Sequence, residues 1–348
     1  MSAAPTMLAV RTTAAHRLEY PQVPRPRPAE GEALIRVEHV SLCGTDLHIY
    51  EDDYTSELPL IQGHEIVGTV VQAGPGVSVG ERVCVDPLIA CGACEACRSG
   101  RENVCRGLAV LGCYCDGGLV EYLAVDARRL HRVPEALDPE LGALAEPTGI
   151  ALQAVTRGRA VAGESVLVLG SGPIGLLATL ALTDLGATVI AADTVPSRLE
   201  LAARFGAART LLIDPPAPFP AERLAEALAA TAPAGPQLVI EATGVPSSLR
   251  SALEVVAPAG RVVQVGISAR PTDFPLNLIP FKEIDLLGSR NTGGLIPQAL
   301  ELISRHPDTV YGLITHRFGV RELADAFATM QDPSQRVGKI LIDLVEES

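Results

Sequence analysis

Tryptophan is absent from the 348 residues, and phenylalanine and tyrosine bring the aromatic share to only 3%, so any core must be packed from aliphatic side chains. Positive charge is also short, with 28 Lys+Arg against 41 Asp+Glu and a net charge of -13. Binding to a phosphate backbone draws on a positive surface, so nucleic acid is not the expected partner. Cysteine is too sparse for a disulfide scaffold: there are eight, most of them between Cys84 and Cys115 at spacings that suit a metal, which points to an intracellular protein. The opening MSAAPTMLAV reaches Arg11 without a basic segment or a long apolar one, so no secretory signal is expected and the expected location is the cytoplasm. Long uncharged runs are lacking too, except between Glu164 and Asp184. That run contains Gly170, Gly172, Pro173 and Gly175, which divide it into a β-branched stretch, Val166 to Leu169, and a segment with Ile174, Leu177, Ala178, Ala181, Leu182 and Leu185 at helical spacing. A strand, a turn and a helix with one apolar face explain it better than a membrane span.

What is present is 47% hydrophobic and 20% charged, a globular balance, and the length allows two domains at about 150 residues each. The first 150 or so residues read as short β-rich segments between turns, such as ALIRVEHV, EIVGTVVQAGPGVSVGERVCV and GLVEYLAV, and suggest a β-barrel-type domain. From Ser165 strands alternate with helices: SVLVLG, TVIAAD, TLLID, QLVIEATG and RVVQVGI, with helical stretches between them, including one near Ala221 to Ala230. Such alternation implies parallel strands joined by crossover helices, a doubly wound nucleotide-binding domain. After IDLLGSR come two helical segments and a final strand, VGKILIDLV, which no longer repeat the unit and are expected to return to the first domain. The boundaries expected are 1–150 with a metal lobe at about 84–115, then 151–288, then 289–348. The Pro-rich PQVPRPRPAE and DPPAPFP read as surface loops.

Gly170-Ser171-Gly172-Pro173-Ile174-Gly175 follows a strand and opens a helix, the context a dinucleotide fingerprint requires. The helix N-terminus would hold the pyrophosphate. The next strand ends at Asp193, where a carboxylate accepts ribose hydroxyls and repels a 2′-phosphate, so NAD is favoured over NADP. Arg198, five residues on, can soften that preference or simply lie on a helix surface.

Cys91, Cys94, Cys97 and Cys105 form C-x2-C-x2-C-x7-C in a loop rich in Gly, Arg and Glu, the pattern of a closed structural zinc site. A second, dispersed set consists of Cys43 in CGTDLH, His64 and Glu65 in GHE, and Glu146 in AEP. One sulfur, one imidazole and carboxylates can bind zinc with a position left open, although each residue taken singly has an ordinary structural explanation and spacing alone does not join them.

The order CGTDLH, GHE, four-Cys lobe, AEPTG, GSGPIG and an acid after the next strand resembles the zinc-dependent medium-chain dehydrogenases along nearly the whole chain. Glu146, where many members have Cys, resembles the polyol and sugar-acid branch related to sorbitol dehydrogenase. LAVLG followed by DGG and EY, FKEIDLLGSRN and LITHRF resemble the L-galactonate 5-dehydrogenases and their relatives. The resemblance implies an α/β protein in which a Rossmann doubly wound parallel sheet is inserted in a GroES-like β-barrel catalytic domain. It implies one catalytic zinc on Cys43, His64, Glu65 and Glu146, without deciding which carboxylate binds, and one structural zinc.

By the same resemblance Asp46 orients His64, Thr45 relays the hydroxyl proton and His48 passes it to solvent. Thr243-Gly244 and Val265-Gly266, at successive strand ends, correspond to nicotinamide contacts. Tyr50, Tyr114, Arg290 and Asn291 are candidate substrate contacts, and Cys113 and Cys115 depart from the family pattern, with unpaired thiols the simpler reading. The implied reaction is hydride transfer from a secondary hydroxyl of a small sugar acid, polyol or related compound to NAD. CGTDLHIY also resembles threonine dehydrogenase, which keeps an amino-alcohol or aminocyclitol substrate open; a non-catalytic dinucleotide-binding protein is disfavoured by the intact metal set. A homodimer or homotetramer is implied by the family alone.

Overall fold

The computed structural model describes residues 5–213, 221–229 and 231–345, so DPPAPFP lies outside the described residues. The chain forms two compact units, one of Met1–Glu146 with Ile296–Ser348 and the other of Pro147–Leu295.

The first unit is built on a mixed sheet that runs, among the described residues, Leu130–Arg132, Arg82–Val85, Glu65–Gln72, Glu32–Ser41, Lys339–Asp343, Ile314–Gly319, with Tyr122–Asp126 also paired to Glu32–Ser41. Its β-branched strands bury Ile35, Val37, Val40, Ile66, Val70, Val83, Ile340 and Ile342 in an aliphatic core, and Phe327 is packed there as well. Burying each such side chain contributes about 1.5–3 kcal/mol, which is how a chain so poor in aromatics closes a core. Register then places the chemistry. Ser41 lies opposite Glu65, and Leu341 opposite Ser41, so the segment Leu42-Cys43, the pair His64-Glu65 and the start of the last strand arrive at one end of the sheet. The strands Ile314–Gly319 and Lys339–Asp343 of the C-terminal segment thus lie in the first sheet. Ile314–Gly319, overlapping LITHRF, is a strand that the sequence reading did not separate from the helical tail.

The second unit is a parallel sheet in the order Arg209–Leu212, Thr188–Asp193, Ser165–Leu169, Leu238–Glu241, Arg261–Gln264, Asp285–Gly288. The strand order reverses between Ser165–Leu169 and Leu238–Glu241, the crevice at which doubly wound sheets take ligands. Val166, Leu167, Val168 and Leu169 are fully buried, as expected of a central strand covered on both faces. The helix Pro173–Asp184 departs from the one-faced reading. Leu176 and Leu180 are buried along with Leu177, Ala178, Ala181 and Leu182, while Leu185, beyond its end, is 41% exposed. A helix apolar all round is buried all round, so its periodicity carried less information than its composition. None of the described helices is long and apolar enough to cross a membrane.

Candidate active site and metal centres

In the second unit, Gly170 ends its strand with φ +91, a left-handed conformation that only glycine adopts at low cost, and turns the chain into the helix that starts at Pro173. Gly175 packs that helix on the turn: a β-carbon there would lie 1.8 Å from the Gly170 carbonyl oxygen. Gly172 is the N-cap and has no side chain to satisfy the first helical N–H groups. Those donors therefore stay available to an anion. The Asp193 carboxylate, 6% exposed, accepts the N–H of Ser171 at 2.7 Å and of Val195 at 2.8 Å, while Arg198 Nη1 stands 3.9 Å away.

Glu241, which sequence reading passed over as part of a strand, is fully buried at the end of Leu238–Glu241. Its carboxylate accepts the N–H of Thr243 at 2.9 Å, the N–H of Gly244 at 3.2 Å and the Gln264 side-chain amide at 2.5 Å, together with the hydroxyls of Thr243 and Ser248. Its main-chain carbonyl accepts the N–H of Val265 at 2.8 Å and of Gly266 at 3.0 Å. One residue thus fixes both glycine turns expected to face the nicotinamide. Arg290 is exposed and Asn291 takes a left-handed φ of 54, both just after the edge strand of this sheet.

In the first unit the four-Cys lobe folds around the short helix Glu95–Arg98. Its sulfur atoms lie 3.4 Å apart for Cys94–Cys97 and Cys91–Cys105, 3.9 Å for Cys94–Cys105 and 4.0 Å for Cys91–Cys97. Four thiolates about 2.3 Å from a tetrahedral zinc stand about 3.8 Å from one another, whereas a disulfide needs about 2.05 Å. All eight cysteines are free of disulfides, and the lobe fits a tetrahedral ion. The N–H groups of Arg106 and Cys97 pull the Cys94 thiol down to about 6, toward the thiolate that binds metal.

Cys43 caps the helix Gly44–Tyr50, His64 immediately precedes the strand Glu65–Gln72 and Glu65 begins it. Ligand atoms of Cys43, His64 and Glu65 all lie within 4.8 Å of one another. Glu146 is 5% exposed and buried with them in electrostatic contact with His64 and Glu65. Burial, and then Glu65, push the Glu146 carboxyl up to about 8, with His64 opposing. Glu65 Oε2 and Glu146 Oε2 are buried without a hydrogen-bond partner. Unpaired buried carboxylate oxygens are costly, and a nearby cation removes the cost, so Cys43, His64 and Glu65 fit a divalent ion, with Glu146 beside that group rather than within its 4.8 Å. Asp46, fully buried, accepts the N–H of Cys43 at 2.9 Å and of Gly63 at 3.2 Å, and its Oδ1 is 3.7 Å from His64 Nδ1. That leaves the other ring nitrogen for a metal. Burial pushes the His64 imidazole down, but Asp46 first and then Cys113 and Cys43 outweigh it and raise it well above its ordinary value.

The remaining expected residues separate. Thr45 Oγ1 is 3.9 Å from Cys43 Sγ, and His48, one helical turn on, is exposed with Nδ1 2.8 Å from Asp53 Oδ1. Tyr50, expected at the substrate, is instead core: its ring stacks on Phe327 at 4.3 Å and its hydroxyl donates to the His16 carbonyl, because it falls on the inward face of its short helix. Tyr114 is 38% exposed and stacks on Tyr54. Cys113 is buried with Sγ 3.7 Å from His64 Nδ1, while Cys115 is half-buried. Lys339, which nothing in the sequence had marked, is 3% exposed and paired with Glu65.

Family models for an alcohol dehydrogenase GroES-like domain and for a zinc-binding dehydrogenase match residues 29–135 and 173–305. The chain belongs to the zinc-type alcohol dehydrogenase family. Among this family, L-threonine 3-dehydrogenase of Pyrococcus abyssi is 35% identical over 96% of this chain and 97% of its own. L-galactonate-5-dehydrogenase of Escherichia coli K12 is 36% identical over 87% of this chain and 88% of its own. An alcohol dehydrogenase of E. coli CFT073 complexed with NADH superposes with TM-score 0.89 at 33% identity, covering 97% of this chain and 99% of that one. A zinc-binding dehydrogenase of Sinorhizobium meliloti bound to NADP does so with TM-score 0.87 at 30% identity, covering 97% and 99%. As a zinc-type alcohol dehydrogenase, the protein combines a GroES-like unit with a Rossmann unit in an α/β architecture.

Proposed function

We propose that this dehydrogenase oxidises a secondary hydroxyl of a small sugar acid, polyol or related hydroxy compound with NAD. The observation that carries the proposal is the cluster of Cys43, His64 and Glu65 beside Glu146, with one oxygen of each carboxylate left unpartnered in a buried site. A bound divalent ion there supplies Lewis acidity toward a hydroxyl oxygen, and the dinucleotide accepts the hydride. Cys43 and His64 would hold the ion, with Glu65 or Glu146 as carboxylate donor, and Asp46 keeps the His64 ring oriented through its Nδ1 side. Thr45 relays the hydroxyl proton, accepting it as its own hydroxyl proton leaves toward solvent. His48 lies one turn further along the same helix, is exposed to solvent and is steadied by Asp53, so it passes that proton out.

NAD rather than NADP is supported by Asp193, buried and already holding two N–H groups, whose charge repels a 2′-phosphate. A cytoplasmic homo-oligomer is retained as part of the proposal, supported by the exposed Leu276 and Phe281, 80% and 83% accessible, near the open edge strand Asp285–Gly288. A second substrate reading, an amino alcohol such as L-threonine, is favoured by the similarity to L-threonine 3-dehydrogenases.

Absorbance of NADH formed from a panel of aldonates, polyols, cyclitols and L-threonine discriminates these readings. Turnover of an aldonate or polyol above L-threonine is expected. Turnover of none of them, or a Cys43→Ala variant as active as the parent, contradicts the proposal. A higher kcat/KM with NADP than with NAD contradicts its cofactor.

A further inference from the structure

The metal constellation contains a fixed positive charge. Lys339 opens the strand Lys339–Asp343, 274 residues after Glu65, and is 3% exposed. Its Nζ pairs with Glu65 Oε1 and donates to the Leu42 carbonyl at 3.2 Å, the residue before Cys43. The ammonium group therefore touches two of the three segments that carry expected metal ligands, and it does so from the far end of the chain. Glu65 divides its two oxygens: Oε1 goes to Lys339, while Oε2 has no partner, and the carboxylate as a whole shares the cluster with Cys43 and His64. Glu146 adds another unpartnered oxygen. A bound divalent ion would draw Glu146 into its ionised form, so that with a Cys43 thiolate and Glu65 the loaded site would set three negative charges against two positive ones, and Lys339 supplies the difference.

We propose that Lys339 is a built-in counter-charge of the catalytic metal site, which stabilises the buried Glu65 carboxylate when the ion is away and loosens the ion's hold when it is bound. Both halves follow from one charge. With no ion, the ammonium group is the partner that keeps Glu65 from being an unpaired buried anion. With the ion in place, the same ammonium group repels it and occupies one of the Glu65 oxygens, so Glu65 is a weaker donor than a free carboxylate. A residue acting by packing alone would couple the two effects in the same direction, because any loosening of the site lowers both the stability of the fold and the affinity for metal.

The inference rests on the reading that Cys43, His64, Glu65 and Glu146 hold a metal, and one experiment separates the two. The full-length protein stripped of metal, as wild type, K339M and K339R, is titrated with cobalt(II) in the visible region, where a four-thiolate site and a one-thiolate site give different bands, and its thermal midpoint is measured without metal. The wild type should bind two equivalents. K339M should bind cobalt at the one-thiolate site at least tenfold more tightly while its metal-free midpoint falls, and K339R, which keeps the charge, should stay within threefold of wild type. Opposite signs for affinity and stability are what a structural role does not produce. Two equivalents in the wild type with a K339M affinity unchanged or weakened overturn the counter-charge alone, as does a K339R affinity shifted like that of K339M. A single equivalent, in the four-thiolate bands, overturns the metal reading together with it. If K339M does not yield folded protein, K339Q is judged by the same criteria.

Discussion

Gly172 and Gly175 belong to one motif, yet the structure assigns them different physical reasons, and alanine at each separates these reasons. A β-carbon at Gly175 would stand 1.8 Å from the Gly170 carbonyl oxygen, and contacts shorter than 3.0 Å are not tolerated, so helix and turn must part by at least 1.2 Å. Such overpacking costs about 1–3 kcal/mol, which for a unit of this size lowers the thermal midpoint by several degrees. The same displacement moves the helix N-terminus off the pyrophosphate, and a misplacement of about 1 Å can cost about 100-fold. Gly172 has nothing within 4 Å of its would-be β-carbon and a φ of -71, which alanine adopts freely. Alanine there loses a few tenths of a kcal/mol as a cap and regains about as much by stiffening the unfolded chain, so the midpoint should stay within about 2 °C. What it fills is the space in which backbone and pyrophosphate approach. NADH binding, followed by fluorescence titration, should therefore weaken in both variants, with a loss of midpoint only in Gly175→Ala. If Gly172→Ala bound NADH as the wild type does, the pyrophosphate would not pass over this turn and the dinucleotide reading of the motif would be wrong.

Other outcomes follow from the metal sites and from Glu241. Replacing Cys97, a buried lobe ligand, with Ser should remove one zinc equivalent and lower stability while leaving the second equivalent in place, as measured by metal analysis and thermal unfolding. Burial raises the Glu146 carboxyl to about 8, so the fold prefers it protonated. In metal-free protein its contribution to stability is fully present below the ordinary carboxylate range and is lost as pH rises toward about 8, and denaturant midpoints measured across that window should fall less steeply in Glu146→Gln. A slope unchanged by that substitution would place the titration elsewhere. Glu241→Ala should leave the N–H groups of Thr243 and Gly244 without their acceptor, which costs about 1–3 kcal/mol each and should raise the KM for the dinucleotide more than the KM for the alcohol.

The architecture was readable because its signals are local. Val166 to Leu169 announces a buried strand, Gly170 to Gly175 a turn and a helix, and the C-x2-C-x2-C-x7-C spacing a closed lobe, each within a few residues. Cys43, His64, Glu65 and Glu146 could be listed together only by resemblance, since their assembly depends on the register of strands far apart in sequence. Resemblance also misplaced Tyr50: its motif continues into the helix, but the helical turn carries its ring inward onto Phe327. What stayed hidden was long-range or common in type. Lys339 reaches Glu65 across 274 residues, Cys113 reaches His64 across 49, and a Glu ending a strand gives no sign that five donors converge on it. Ile314–Gly319 was missed because ITHRFG alternates weakly and is paired to a strand further along the chain.

Anomalous diffraction from crystals of the zinc-loaded protein, collected on both sides of the zinc absorption edge, tests the central claim most directly. Two peaks per chain are expected, one amid Cys91, Cys94, Cys97 and Cys105 and one bounded by Cys43, His64 and the carboxylates, the second with a coordination position free of protein. A lone peak in the four-Cys lobe, or a second one closed by four protein ligands, would contradict it.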